Sequence, residues 1–194
     1  MRKKFGRDRC SLKVYLLKPK FTASGDTVYR SIGVVPADRS ALISWHGLHS
    51  SGRKACQSGF GVIRFEWRDP SRKKIADFPS AGHPGGIYSA KAVSSLRWLL
   101  ETNGDIHPLG FEKDTATYFL FDCWAEREAA TNLEFNPFQS GSLNSIRVGA
   151  DVTLTDAFIV PQIPGLMVSE RFKEAAEAAG LTGMDFTEIE VITD

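Results

Sequence analysis

A chain of 194 residues, 42% hydrophobic and 24% charged, is long enough to bury a core as one domain and too apolar to be a disordered tail. Its 17 glycines and 9 prolines are an everyday share, which excludes collagen-like and linker-like chains. The formal net charge of +1 hides a division: residues 1–80 carry 17 Lys+Arg against 6 Asp+Glu, a balance of +11, and residues 81–194 carry 7 against 17, a balance of −10. Opposed fields of this kind steer charged partners to different faces, unless folding interleaves the two halves and cancels them.

Residues 1–11 are charged and aperiodic and predict a flexible arm. Met1–Lys4 with Arg7 and Arg9 is like the positive start of a secretory signal, but the apolar run behind it, Val14–Leu17, is far short of the roughly 7–15 residues required. No stretch approaches the roughly 18 apolar residues of a membrane span. Three widely spaced cysteines, Cys10, Cys56 and Cys123, fit reduced thiols, so a non-secreted, cytoplasmic protein is expected. Lys13–Leu17 reads as a strand stopped by Pro19, and Thr27–Val35 as a second stopped by Pro36. Residues 36–61 predict loop, with a short helix around Ala37–Ile43. Gly61–Trp67 ends by alternating Ile63, Phe65 and Trp67 with Arg64, Glu66 and Arg68, the period of a half-buried strand. Asp69-Pro70-Ser71 then turns the chain, and Pro79–Gly86 separates the basic part, 12–80, from the acidic part, 85–192.

After that break Ser89 predicts the N-cap of a helix with an apolar stripe of Ala92, Val93, Leu96, Leu99 and Leu100, ending near Asn103-Gly104. Asp105–Leu109 and Thr117–Trp124 follow as strands, and Tyr118-Phe119-Leu120-Phe121 is too continuously apolar for an edge exposed to water. Residues 125–150 read as polar with turns at Asn136-Pro137 and Gly141, and Asp156–Val160 as strand-like. The end of the chain restates the earlier unit: Met167-Val168-Ser169, a helix with Phe172, Ala175, Ala176 and Ala179, a stop at Gly180, and the strand Phe186–Ile192. Ser89 and Ser169 lie 80 residues apart, as do Asp105 and Asp185. The expectation is an α+β fold, a mixed sheet with a few helices, in which a strand–helix–strand unit recurs once within a single domain of residues 12–194.

Motifs for chemistry are interrupted wherever they begin. His46-x-x-His49 with Cys56 has the spacing of metal ligands, but Gly47 and Ser50-Ser51-Gly52 break the helix that would present them. Cys10 lies in the arm and Cys123 inside an apolar strand, where a cysteine is a small apolar filler. Gly82-x-x-Gly85-Gly86 lacks the Lys-Ser/Thr of a phosphate loop, and Ser58-Gly59-Phe60-Gly61 lacks the glycine before serine of a nucleophile elbow. No catalytic residue, metal or cofactor is therefore expected. Two surfaces remain. Arg2–Arg9, Arg53-Lys54 and Arg72-Lys73-Lys74, with Trp45, Phe65 and Trp67, form a possible nucleic-acid surface of cations and stacking rings. Asp122, Glu126, Glu128 and Glu134, with Trp124, Phe135 and Phe138, form either a solvated face over a core strand or a site that grips a basic patch on another protein.

The second half also carries a resemblance. Ile87-Tyr88-Ser89-x-x-Ala92-x-x-x-Leu96, Asp105-Ile106-His107-Pro108-Leu109, Tyr118-Phe119-Leu120-Phe121, Leu166–Lys173 and Gly180-Leu181-Thr182-Gly183-x-x-Phe186 together resemble a family of small bacterial immunity proteins first described from Myxococcus. These are encoded beside polymorphic toxins, including effectors of contact-dependent and type VI secretion. The likeness covers residues 85–192 and is carried by apolar patterns and one Val-Ser-Glu-Arg-Phe-Lys phrase. It implies no catalytic residues. It implies a stoichiometric inhibitor that protects the producing cell by binding its cognate toxin. The acidic balance and clustered aromatics of the second half make Asp122, Trp124, Glu126, Glu128 and Glu134 the expected partner-binding residues. The alternative is a nucleic-acid-binding regulator using the basic part.

Overall fold

A computed structural model describes residues 13–22, 28–34, 64–68, 74–79, 81, 85–111, 117–127, 130–131, 143–149, 153–161, 163 and 165–193. Among them are the strands β1 (Val14–Pro19), β2 (Ile32–Val34), β3 (Arg64–Trp67), β4 (Ile87–Ser89), β5 (Gly104–Pro108), β6 (Gly110–Phe111), β7 (Tyr118–Cys123), β8 (Ala130–Thr131), β9 (Ser145–Val148), β10 (Ala157–Phe158), β11 (Leu166–Ser169) and β12 (Met184–Thr193). The helices are α1 (Ala90–Leu100) and α2 (Glu170–Ala178). A six-stranded sheet has the order β10-β11-β1-β12-β9-β8, antiparallel except where β12 meets β9. A three-stranded antiparallel sheet has the order β4-β7-β5, and a small sheet β2-β3-β6 pairs β3 with β6 in parallel. The fold is α+β with a mixed sheet. No helix among the described residues is long and apolar enough to cross a membrane.

The recurrence read from the serines extends to the hydrogen-bond register. β4 and β5, joined by α1, lie on either side of β7; β11 and β12, joined by α2, lie on either side of β1. Ser89 pairs with Tyr118 and Asp105 with Asp122, while Ser169 pairs with Val14 and Asp185 with Lys18. The flanking strands thus correspond at an offset of 80 residues and the central strands at 104, with no slip in register. One unit is contiguous, its central strand following the helix. The other takes its central strand from the start of the chain.

Each helix is started in the same way. Ser89 Oγ accepts from the N–H of Ala92 at 3.1 Å and donates to Asp77 Oδ1 at 2.7 Å; Ser169 Oγ accepts from Phe172 N–H at 3.2 Å and donates to Asp156 Oδ1 at 2.7 Å. The serine N–H groups bond the carbonyls of the same two aspartates, at 2.8 and 3.1 Å. Two residues into each unit a cation faces that aspartate, Lys91 at Asp77 and Arg171 at Asp156. The serine satisfies one of the otherwise unpaired donors of the first helical turn, and the aspartate fixes the serine's rotamer.

The predicted stripe of α1 is inward, with Ala92, Val93, Leu96, Leu99 and Leu100 at most 2% exposed. They join Phe172 and Ala176 of α2, Val14–Leu17 of β1, and Tyr88 and Phe121 in one core. A second cluster of Ile32, Phe65, Ile87, Tyr118 and Leu120 covers the opposite face of β7, with Trp67 packed edge-on to Tyr118 at 5.4 Å. Two covered faces explain the unbroken apolarity of residues 118–121.

Some expectations shift. β1 continues through Pro19, which pairs with Met184 at the strand's last position. Among the described residues of the Thr27–Val35 run, 28–34, Ile32–Val34 is strand and residues 28–29 bend. Residues 125–150 contain β8 and β9, and the full burial of Ile146 places β9 in the core rather than in a polar loop. The expected arm 1–11 and the loop or short helix within 36–61 lie outside the described residues. The basic and acidic parts interleave at least once, since β1 sits between β11 and β12.

Two measurements check this architecture. Leu96→Ala should lower unfolding free energy by about 2–5 kcal/mol in a denaturant titration, because it opens a cavity in a fully buried site. Burial works to raise the pKa of the Asp77 carboxyl, but hydrogen bonds from Ser89 and from the N–H and hydroxyl of Thr182, with Lys91, outweigh it and hold the group below its ordinary value. Such a group stabilises the fold above the unfolded pKa of about 3.9 and loses that contribution as pH falls through the folded value. Between pH 6 and pH 3, Asp77→Asn should therefore lose less stability than the parent chain.

Candidate functional site

Asp122 is 4% exposed and lies with Tyr118 and Leu120 on the face of β7 covered by the second cluster. Its Oδ2 stands 3.6 Å from His107 Nε2, a contact between neighbouring strands β7 and β5. This corrects the expectation that Asp122 belongs to a docking surface: its carboxylate is enclosed between strands and is not presented to a partner. Glu128 and Glu134 lie outside the described residues. Trp124 is 43% exposed and Glu126 is exposed, so the aromatic at the end of β7 faces solvent and not the core.

Backbone bonds hold this pair rigidly. The N–H groups of Trp124 and Ala125 both donate to Asn103 O, at 3.1 and 3.2 Å; Ile159 N–H donates to Ala125 O at 3.0 Å, and Arg127 N–H to Ile159 O at 2.9 Å. The Arg127 guanidinium donates to the carbonyls of Thr153 and Glu126. A segment tied on both sides presents its side chains at little entropic cost on binding.

Sequence reasoning missed Trp98. It is 50% exposed on α1, with the Arg171 guanidinium 4.7 Å from the ring centroid. Arg171 is itself held by Asp156, a few residues before Ile159, which bonds Ala125 beside Trp124. Trp98, Arg171, Asp156, Ala125 and Asn103 therefore form a circuit that puts both tryptophans at the C-terminal end of α1. The signal was present: position 98 falls off the stripe of Ala92, Val93, Leu96, Leu99 and Leu100, and a tryptophan on the solvent side of an amphipathic helix has no packing role there.

Among the described residues, Cys123, Phe65 and Trp67 serve the fold. Cys123 is buried, and burial pushes its thiol up to about 12, which leaves too little thiolate for nucleophilic chemistry near neutral pH. Phe65 is 3% exposed and Trp67 packs on Tyr118, so neither forms an open stacking platform. Among the described residues no group of three or more His, Cys, Asp or Glu is placed to hold a metal ion, and His46, His49 and Cys56 lie outside them. Comparison with protein-family models and with curated proteins finds no match for the chain.

Tyr88 is the remaining oddity. Its ring packs between Phe78 and Phe121, its hydroxyl is buried without a hydrogen-bond partner among the described residues, and burial, with Cys123 nearby, raises its pKa well above the ordinary value. A buried polar group left unpaired costs about 1–3 kcal/mol. Tyr88→Phe should accordingly raise the denaturation midpoint, and an unchanged or lowered midpoint would show that the hydroxyl is satisfied.

Proposed function

We propose that the protein is a cytoplasmic immunity protein: it binds one cognate secreted toxin in the producing cell and neutralises it as a stoichiometric, non-catalytic inhibitor. The observation that carries this reading is a half-exposed Trp124 clamped beside the exposed Glu126, an aromatic anchor next to a carboxylate on a rigid backbone. Aromatic anchors supply most of the energy in protein interfaces, and charge complementarity supplies rate and selectivity. The resemblance of residues 85–192 points the same way, and its Val-Ser-Glu-Arg-Phe-Lys phrase covers the end of β11, the Ser169 cap and the first turn of α2. The nucleic-acid reading gains nothing from Phe65, which is core, or from Trp67, which packs on Tyr118.

The test is to read the gene beside this chain's own and to co-express the protein it encodes; a neighbour without toxicity counts against the proposal. Cells should survive with the parent chain. Glu126→Lys should slow association at low salt, while Trp124→Ala should chiefly speed dissociation. Survival that does not depend on this chain, or an absence of binding between the two purified proteins, would sink the proposal.

A further inference from the structure

The correspondence between the two units extends beyond their helices. One residue after β5, β6 pairs in parallel with β3, Gly110 with Arg64 and Phe111 with Phe65; the end of β12 pairs in the same way with β9, Glu190 with Ser145 and Val191 with Ile146. β2 lies antiparallel on the far side of β3, with Gly33 opposite Glu66 and Val34 opposite Phe65, as β8 lies beside β9, with Ala130 opposite Arg147 and Thr131 opposite Ile146. The orders β4-β7-β5 with β6-β3-β2, and β11-β1-β12-β9-β8, are therefore one order made twice, with β10 added at an edge. The bond that follows each central strand recurs too: Trp124 N–H donates to Asn103 O at 3.1 Å and Lys20 N–H to Gly183 O at 2.9 Å.

In chain order the two halves carry the same elements. Residues 13–111 supply β1, β2, β3, β4, α1, β5 and β6, and residues 118–193 supply β7, β8, β9, β11, α2 and β12, with β10 between β9 and β11. The first strand of each half leaves its own sheet. β1 lies between β11 and β12 of the second half, and β7, which opens the second half, lies between β4 and β5 of the first. Each half thus completes the other. The halves differ where their helices end: Gly180 at φ +58° and Gly183 at φ +86° stand where the first half has Leu100 and Asn103. Thr182 accordingly reaches across to Asp77 Oδ2, while the hydroxyl of Thr102, 80 positions earlier, bonds Leu99 O of its own helix at 3.2 Å.

We infer that residues 13–111 and 118–193 are two copies of one folding unit clasped by a reciprocal exchange of their first strands, and that this clasp, not the peptide joining the copies, fixes their assembly. The inference is independent of what the protein binds. Both rows of backbone groups on β1 bond the second half, and both rows on β7 bond the first, so parting the halves means withdrawing two central strands together and leaving their donors and acceptors unpaired. It would also expose Val14–Leu17, at most 3% exposed, and Leu120 and Phe121, at most 1%. The order of the copies along the chain is then free. Phe111 and Tyr118 are joined by residues 112–117, and the equivalent positions Val191 and Val14 are flanked by residues 192–194 and 11–13, six residues in each case. Since Val14 pairs with Ile189, two residues before Val191, such a connection spans neighbouring strands.

Two experiments test the clasp. A protease site placed within residues 112–116 and cut in the folded protein should leave two fragments that elute together at the parent's volume at about 1 μM and unfold in one transition. In the cut protein Leu16→Ala and Leu120→Ala, one on each exchanged strand, should each weaken the association of the fragments about tenfold or more. The second experiment reverses the order of the copies: residues 118–194 are followed, with no added linker, by residues 11–117, leaving out residues 1–10. This permuted chain should reproduce the parent's amide spectrum away from the old and new ends. Its β7 amides, now at the start of the chain, should exchange as slowly as in the parent, because β7 remains a central strand. Where the inserted site disturbs the uncut protein, the permuted chain decides. Fragments that separate after cutting a folded chain, a permuted chain that is unfolded or aggregated, or one whose β7 amides exchange freely would overturn the inference.

Discussion

A central strand has two rows of backbone donors and acceptors to satisfy, and β1 satisfies both with residues 149 to 175 positions further along the chain. Val14–Leu17 pair with Leu166–Ser169 on one side, while Val14–Pro19 pair with Met184–Ile189 on the other. Without β1, β11 and β12 would face each other across an empty slot, and α2 would lose part of the surface it packs on. Closing a loop of this length carries a real entropic cost, but that cost grows only slowly with length, and it is offset by four fully buried side chains, Val14 to Leu17. The start and end of the described chain are thereby locked into one sheet.

The duplicated arrangement gives the fold its economy and its asymmetry. Two aspartates, two capping serines and two cations start the helices in the same way, and the strands on either side keep the same register. A pair of units built alike would have two like junctions where the start of one helix meets the end of the other, at Lys91 with Gly180 and at Arg171 with Trp98. Two glycines in one unit, replaced by leucine and asparagine in the other, decide that one junction is bonded by threonine and the other is left to an arginine stacked on an exposed indole. The difference is local in sequence and global in effect, because ending a helix two residues early redirects the loop that follows it.

Three described residues with reactive side chains are used by the fold. His107 meets Asp122 between strands, Cys123 is held as a neutral thiol, and Asp77 is saturated by Ser89 and Thr182. What stays at the surface is aromatic and charged on a stiff backbone, an arrangement suited to recognition. Recognition by a few anchors within a polar rim is also how a binder keeps one partner and rejects its relatives, since a misplaced charge at the rim costs more than a matched one contributes.

The sequence by itself determined the local elements. Capping serines, the 3.6-residue stripe of α1, the stop at Gly180 and the spacing of 80 residues were legible, because they depend on neighbours within one or two helical turns. The unbroken apolarity of Tyr118–Phe121 also announced a strand covered on both faces. Only the tertiary structure decided that β1 completes the second unit, since strand pairing is non-local and Val14–Leu17 carry the period of a strand without naming its partners. It likewise decided that Asp122 is enclosed while Trp124, two residues on, is open. Alternation along a strand says which side chains share a face, but what packs on that face comes from elsewhere in the chain, and β7 ends just where its cover does.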